Sequence, residues 1–388
     1  MNARTRSLVA HTSQLPRSSK GLARTLEGAP RRAKGFLTLC SNTVLDASVT
    51  LTSPAVLFIS SILKAPTTVL FPPFRLTQEN VRSFNILHNH KMASLYVPPE
   101  YNIDTQHNGT EHLAINNTFI RRLLSRLALH TTAKFYPDDG LCTPISKHKI
   151  IKTGRRTHLT EGATMRYLSE QTTIPIPKVY CSFLHKNRAY IVMERIQGEE
   201  LPKVWKSMSE ESKEDIFTQL RGIFQELRSL TPSPGTGVES CVGGSLYDSR
   251  IPRGNPRFGP FKKIQDFHFW LRRDLKLEDL KDQEKDQEKD QSWHDLQEMI
   301  NKQDGPWPPP KFTHGDINPF NILVREGKVV GIIDWEFSGW YPHYWEYTSA
   351  WFGNVTRTDW QDVLVKFLNQ PHPDEFKMEE VRNKWWGE

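Results

Sequence analysis

Phe312-Thr-His-Gly-Asp-Ile-Asn-Pro-Phe-Asn-Ile-Leu-Val324, followed closely by Val329-Val-Gly-Ile-Ile-Asp-Trp-Glu336, is the stretch around which the chain is organised. Apolar residues flank a polar knot of His314, Asp316 and Asn321. A second apolar run ends on another carboxylate, Asp334. Short apolar runs of this length read as strands. Two carboxylates and an amide delivered at strand ends are hard oxygen donors, able to hold a divalent cation and the phosphates it accompanies. Asn321 stands five residues after Asp316, and Asp334 thirteen after Asn321.

Upstream of this stretch the pattern is that of a small sheet. Leu141–Ile145 and Lys149–Lys152 are strand-like, and Thr153-Gly154 ends the second. Residues 159–170 read as a helix that contains Glu161 and Met165; Pro175 and Pro177 break it. Lys178–Leu184 and Ala189–Met193 flank the polar turn His185–Arg188, a hairpin signal. Strand, strand, helix, strand, strand describes an antiparallel sheet carrying one helix. Before it, Phe119, Leu123, Leu124, Leu127 and Ala128 recur at the spacing of an amphipathic helix. Gly198 marks a boundary, after which Ile216, Leu220, Ile223, Phe224 and Leu227 share one face of a helix of about twenty residues. Residues 231–262 are rich in Pro and Gly and read as a long loop. Phe267–Leu275 is helical again. The repeated Asp282-Gln-Glu-Lys unit, within a charged insertion at 281–291, reads as solvated helix or disorder and carries no chemistry. Pro306-Trp-Pro-Pro-Pro310 leads into the opening stretch. His343 to Trp386 is dense in aromatics, with Val363, Phe367 and Leu368 at helical spacing.

The net charge of +7 suggests an acidic partner until it is located. Residues 1–78 hold ten Lys/Arg and two acids, or +8, so the other 310 residues sum to −1. The basic character belongs to the N-terminal segment, and no nucleic-acid partner follows from it. Residues 1–95 have no sustained period and read as a disordered extension. Their scattered arginines resemble a mitochondrial transit peptide; the preferred reading is an upstream extension with Met92 as the start. Cys40, Cys142, Cys181 and Cys241 form no CxxC pair, which fits a reducing, cytoplasmic setting. The best apolar stretch, Ser53–Leu63, is too short to span a bilayer, so no integral membrane segment is expected.

His314-Gly-Asp316, Asn321 and the closing Ile333-Asp334-Trp-Glu336 resemble the catalytic signature of the aminoglycoside phosphotransferase and choline kinase branch of the protein kinase-like superfamily. Within that branch it resembles fungal aminoglycoside phosphotransferase-domain proteins, over roughly residues 110–388. The resemblance implies an α+β, two-lobed, kinase-like fold: an antiparallel-sheet lobe at 110–197 and a mainly helical lobe at 198–388. It implies ATP and Mg²⁺ as cofactors and a hydroxyl of a small molecule as acceptor. Asp316 is then expected to orient the hydroxyl and accept its proton, Asn321 and Asp334 to hold Mg²⁺, and His314 to brace the loop. Lys152 is expected on the phosphates, paired with Glu161. Lys149 competes but lies on the opposite strand face. The adenine is expected against the linker, with Met193, Glu194 and Ile196 around it.

One departure stands out. No G-x-G-x-x-G precedes the Lys152 strand; only Gly140 is available. On the acceptor side, Glu336, Tyr341, His343 and Glu346 are candidates, with Glu346 read first as one half of an ion pair with an arginine. Trp335, Trp340, Trp345 and Trp351 are read as core before cation-binding aromatics. The loop Ser249–Gly254 reads equally as an active-site cover or a surface loop. A protein Ser/Thr kinase is the rival enzyme, opposed by the missing Asp-Phe-Gly and Ala-Pro-Glu. A non-catalytic nucleotide-binding interaction protein is the other rival, opposed by the intact Asp316, Asn321 and Asp334.

Overall fold

The computed structural model describes residues 101–137, 140–281 and 291–387. The expected disordered extension over 1–95 and nearly all of the charged insertion lie outside these residues.

Helix α1 (Phe119–His130) starts where Thr118 caps it, its side chain accepting from the Arg121 N–H. The spacing of its apolar residues does give a helix, but the apolar face does not pack among the described residues. Phe119, Ile120, Leu123, Leu124 and Leu127 are each more than half exposed, and Ser125 is the buried position. Periodicity identifies a face and not what covers it.

The sheet follows as expected: β1 (Cys142–Ser146), β2 (Lys149–Gly154), helix α2 (Leu159–Gln171), β3 (Val179–Leu184) and β4 (Ala189–Glu194), in the antiparallel order β1-β2-β4-β3. The β3–β4 turn places Lys186 and Asn187 at φ 51° and 53°. Positive φ at both central residues is the turn that matches strand twist, and His185 and Arg188 exchange backbone hydrogen bonds across it. Helix α2 lies on the sheet and buries Leu159, Met165 and Leu168.

Past Gly198 come β5 (Glu199–Glu200), α3 (Leu201–Trp205) and the long helix α4 (Glu210–Ser229). Ser209 caps α4, which buries Ile216, Phe217, Leu220, Phe224 and Leu227. Helices α5 (Ile264–Leu271), α6 (Leu277–Lys281) and α7 (Gln291–Asp304) precede β6 (Lys311–Thr313). Then β7 (Ile322–Arg325) pairs with β5 and with β8 (Lys328–Ile332), while β9 (Gly339–Tyr341) pairs with β6. Helices α8 (Trp345–Phe352), α9 (Thr358–Val363) and α10 (Pro373–Trp386) close the chain. One apolar cluster runs from Ile150 and Met165 through α4 to Trp335 and Trp360, joining sheet lobe to helical lobe.

The stretch 231–262 is not the simple loop its composition suggests. Val238 pairs with Phe261 and Leu246 with Phe258 as isolated antiparallel bridges, and all four are buried. Phe258 stacks on Trp270 with ring centroids 5.1 Å apart. Pro and Gly erase the period, but widely separated residues still pair. The architecture is the mixed α+β one expected, an antiparallel sheet followed by a mainly helical part. Among the described residues no helix is long and apolar enough to cross a membrane.

Candidate active site

Strand alternation decides which lysine enters the cleft. Lys149 is exposed and lies over the Tyr180 ring, 5.0 Å from its centroid. Lys152 is 5% exposed. Its Nζ donates to Glu161 Oε1 at 3.0 Å, Asp334 Oδ1 at 2.7 Å and Glu336 Oε2 at 3.0 Å. Burial pulls its pKa down, but the three carboxylates outweigh burial and hold the ammonium well above its usual range. Burial pushes Glu161 up to about 8 against the pull of Lys152, and it raises Glu336 likewise. Three acids share one cation, and Glu161 Oε2 has no hydrogen-bond partner among the described residues.

The turn after β6 is held from two sides. Glu346 Oε2 and Oε1 accept the backbone N–H groups of His314 (2.8 Å) and Gly315 (3.2 Å). Glu346 thus captures two backbone N–H groups and also interacts electrostatically with Arg228. His314 is fully buried, and its Nδ1 accepts the Asp316 N–H at 3.2 Å. Its Nε2–H is then the donor to the Ile333 carbonyl at 3.0 Å. Burial lowers its pKa, so the neutral ring ties the turn to the segment that delivers Asp334. Gly315 sits at φ +85°, and a Cβ there would lie 2.8 Å from the Phe337 carbonyl.

Asp316 Oδ2 accepts from Asn318 Nδ2 and Asn321 Nδ2, both at 3.1 Å. Oδ1 lies 3.7 Å from Arg250 Nη1. Burial raises the Asp316 pKa against the pull of Arg250, and Asp334 and Asp248 add to the rise. Asn321 Nδ2 also donates to the Asp316 carbonyl at 2.9 Å. Its amide nitrogen is thus committed to Asp316, which leaves Oδ1 as the side-chain oxygen able to coordinate a cation. The Ile333 N–H donates to the Asn321 carbonyl at 3.0 Å, so the chains carrying Asn321 and Asp334 abut. Asp334 occupies the left-handed region at φ 65°, ψ 62°, with its side chain 36% exposed. An amide oxygen and a carboxylate on adjoining chains fit a small, oxygen-preferring dication.

The linker passes the other end of β2. The Glu194 N–H donates to Lys178 and the Arg195 N–H to His148. Met193 is buried in the core. Ile196 covers Gly331, where a Cβ would lie 2.6 Å from its Cδ1. A cavity of about 540 Å³ touches the linker at Arg195–Glu199, but none of Lys152, Glu161 or Asp334 lines it.

The expected acceptor-side residues fare differently. Glu336 serves Lys152, Tyr341 is fully buried, and His343 pairs with Glu375 at 3.0 Å. Trp335, Trp340 and Trp345 are core, and Trp351 packs against it. The loop Ser249–Gly254 brings Arg250 to Asp316, a contact whose only sequence signal is a basic residue in a loop of undecided role.

The model of the family described as "Phosphotransferase enzyme family" matches residues 151–382, more than half of the chain. No curated protein matches it. Among solved structures, a thermostable mutant of aminoglycoside phosphotransferase APH(4)-Ia in its apo form is 13% identical, covering 62% of this chain and 79% of that one, with TM-score 0.40. The gentamicin–APH(2″)-IIa complex is also 13% identical, covering 70% and 87%, with TM-score 0.42. The matched span takes in the Lys152 strand, the Asp316 turn and Asp334 together, the residues that converge on one cleft. The chain belongs to the phosphotransferase enzyme family.

Proposed function

We propose that this phosphotransferase moves the γ-phosphoryl group of ATP, with Mg²⁺, to a hydroxyl of a small molecule. The observation that carries the reading is the Lys152 cluster. One ammonium bonds Glu161 from its own lobe and Asp334 from 182 residues further along. A lysine so placed, with an exposed edge on Asp334, is positioned for phosphates. Lys152 would take the α- and β-phosphates, and Asn321 and Asp334 would hold Mg²⁺. When bound, the cation neutralises charge that builds on the phosphate oxygens. Glu161 keeps Lys152 anchored on its strand, and Asp316 orients the acceptor hydroxyl and takes its proton at a carboxylate oxygen. His314 braces the turn that presents Asp316.

The missing glycine loop has a partial counterpart. Cys142 pairs with Lys152, and the Thr153 N–H donates to the Leu141 carbonyl. Gly140, at φ +60°, therefore stands at the end of the hairpin where Lys152 emerges. The opposite end meets the linker, since the Gln197 side chain donates to the Lys147 carbonyl. That orientation supports reading Met193, Glu194 and Ile196 as the adenine end. We take residues 110–197 as one lobe and 198–388 as the other. For the acceptor we favour the cavity of about 310 Å³ lined by Asp248, Arg250, Trp345, Ser349, Phe352 and Arg382, among others, because Arg250 also faces Asp316. Its charges are already paired as Asp248–Arg250 and Glu379–Arg382, and with two aromatic rings this suits a polyhydroxylated ring. Cys181 and Cys241 stand in no disulfide among the described residues, which supports a cytoplasmic location.

The test is thermal. Mg²⁺-ATP at a hundred times its dissociation constant is expected to stabilise the protein by about 2.7 kcal/mol, with ATP alone weaker and Asp334→Asn abolishing the Mg²⁺ increment. A melting temperature indifferent to Mg²⁺-ATP would remove the reading. A panel of choline, amino sugars, homoserine, fructosamines and macrolides then assigns the acceptor.

A further inference from the structure

Arg250, from outside the motif, faces Asp316, and its guanidinium is held by several groups. Nε and Nη2 pair with the two oxygens of Asp248 at 2.8 and 2.6 Å. Nη2 also donates to the carbonyl of Gly315, the residue before Asp316. Nη1 donates to the Ser349 carbonyl at 3.0 Å. The plane rests on the Phe337 ring, 5.1 Å from its centroid. A Cβ on Gly353 would come within 2.5 Å of Nη1, so the end of α8 leaves room for this side chain. The remaining edge faces Asp316 Oδ1 at 3.7 Å, an ion-pair separation longer than a hydrogen bond. Meanwhile Asn318 and Asn321 hold Oδ2.

We propose that Arg250 is a positioning residue for phosphoryl transfer. Asn318 and Asn321 fix one oxygen of Asp316, and Arg250 fixes the direction of the other. It also keeps a preorganised positive charge beside the point where the hydroxyl gives up its proton. The Asp248 fork, two carbonyls and an aromatic face define the guanidinium in position and plane, which a lysine ammonium cannot match. An arginine that only tied the loop to the motif would be complete with Asp248, Gly315 and Ser349. The fourth contact, across an open gap to Asp316, adds nothing to such a tie. The inference rests on the reading of Asp316 as the group that orients the acceptor.

The experiment measures phosphate transfer from Mg²⁺-ATP to water, or to an acceptor found by the panel. It compares the wild type with Arg250→Gln, Arg250→Ala, Arg250→Lys and Asp316→Asn. Nucleotide affinity and melting temperature are read in parallel. Arg250→Gln is expected to lower kcat by about 10²-fold, with KM for ATP unchanged. Arg250→Lys is expected to recover part of the loss, and added guanidinium to raise the rate of Arg250→Ala. A folded Arg250→Gln variant with wild-type kcat overturns the inference. So does a loss that neither lysine nor guanidinium relieves. Should the Gln and Ala variants fail to fold, Arg250→Lys decides: a lowered kcat at unchanged KM for ATP supports the inference, and an unchanged kcat overturns it. Wild-type activity in Asp316→Asn would instead overturn the reading of Asp316, a distinct result.

Discussion

Lys152 is the residue on which the two halves of the site depend. With it removed, Glu161, Asp334 and Glu336 face one another without a cation. Breaking a buried pair in this way costs roughly 3–5 kcal/mol at most, and proton uptake by Glu161 lowers that cost. The sign follows from Glu161, whose pKa rises from an ordinary 4.5 to about 8 on burial. In the folded wild type Glu161 holds a proton that the unfolded state has released, so this stability is present below pH 4.5 and is lost as pH rises through about 8. Lys152 is the group that lowers this pKa, so in Lys152→Met the loss continues past 8, and the melting-temperature gap between wild type and variant is expected to widen above about pH 8. A gap independent of pH would contradict the shared-cation description. The choice of Lys152 over Lys149 was legible because strand faces alternate. The grouping of Asp316, Asn321 and Asp334 was legible in their spacing, and Asn321 lies against both Asp316 and the segment that carries Asp334. Arg250 was not, because the carbonyl it binds on the Asp316 turn lies 65 residues away and no local pattern links them.

At the level of elements, local period found most of the structure. The helix expected over 159–170 spans Leu159–Gln171, and the hairpin around Lys186 and Asn187 forms as its turn residues require. Period failed where packing depends on distant partners. Helix α1 has the pattern of a buried face yet leaves Leu123 and Leu127 about half exposed, at 51% and 53%. The stretch 231–262 has no period yet buries Phe258 and Phe261. Helices α1 and α4 make a direct comparison. Leu127→Ser is expected to change unfolding free energy by no more than about 0.5 kcal/mol. Leu220→Ala in α4, fully buried, is expected to cost about 2–5 kcal/mol. Denaturant melts of both variants check this, and a large loss at Leu127 would mean that the face of α1 is covered in solution.

For the whole molecule, the site exists only because two lobes meet. Lys152 and Glu161 come from the sheet lobe, and Asp316, Asn321, Asp334 and Glu336 from the helical lobe. One apolar cluster joins them. The cluster around Lys152 and Asp334 was readable because its residues sit in short motifs at fixed spacing. The acceptor side was not. Its candidate cavity draws on a loop near Arg250, on α8 and on α10, which approach only in the folded chain. Charge teaches the same lesson of location, since the +7 total resides in the N-terminal segment and leaves the rest near neutral.

The central claim is that Asp316 serves transfer and not nucleotide binding. The direct measurement is ADP release from Mg²⁺-ATP, with nucleotide affinity determined in the same preparations of wild type and Asp316→Asn. The expected result is a wild type that turns over and a variant slowed by about 10²- to 10⁴-fold with its affinity for Mg²⁺-ATP retained. Equal turnover in the two proteins, or loss of nucleotide binding in the variant, would contradict it.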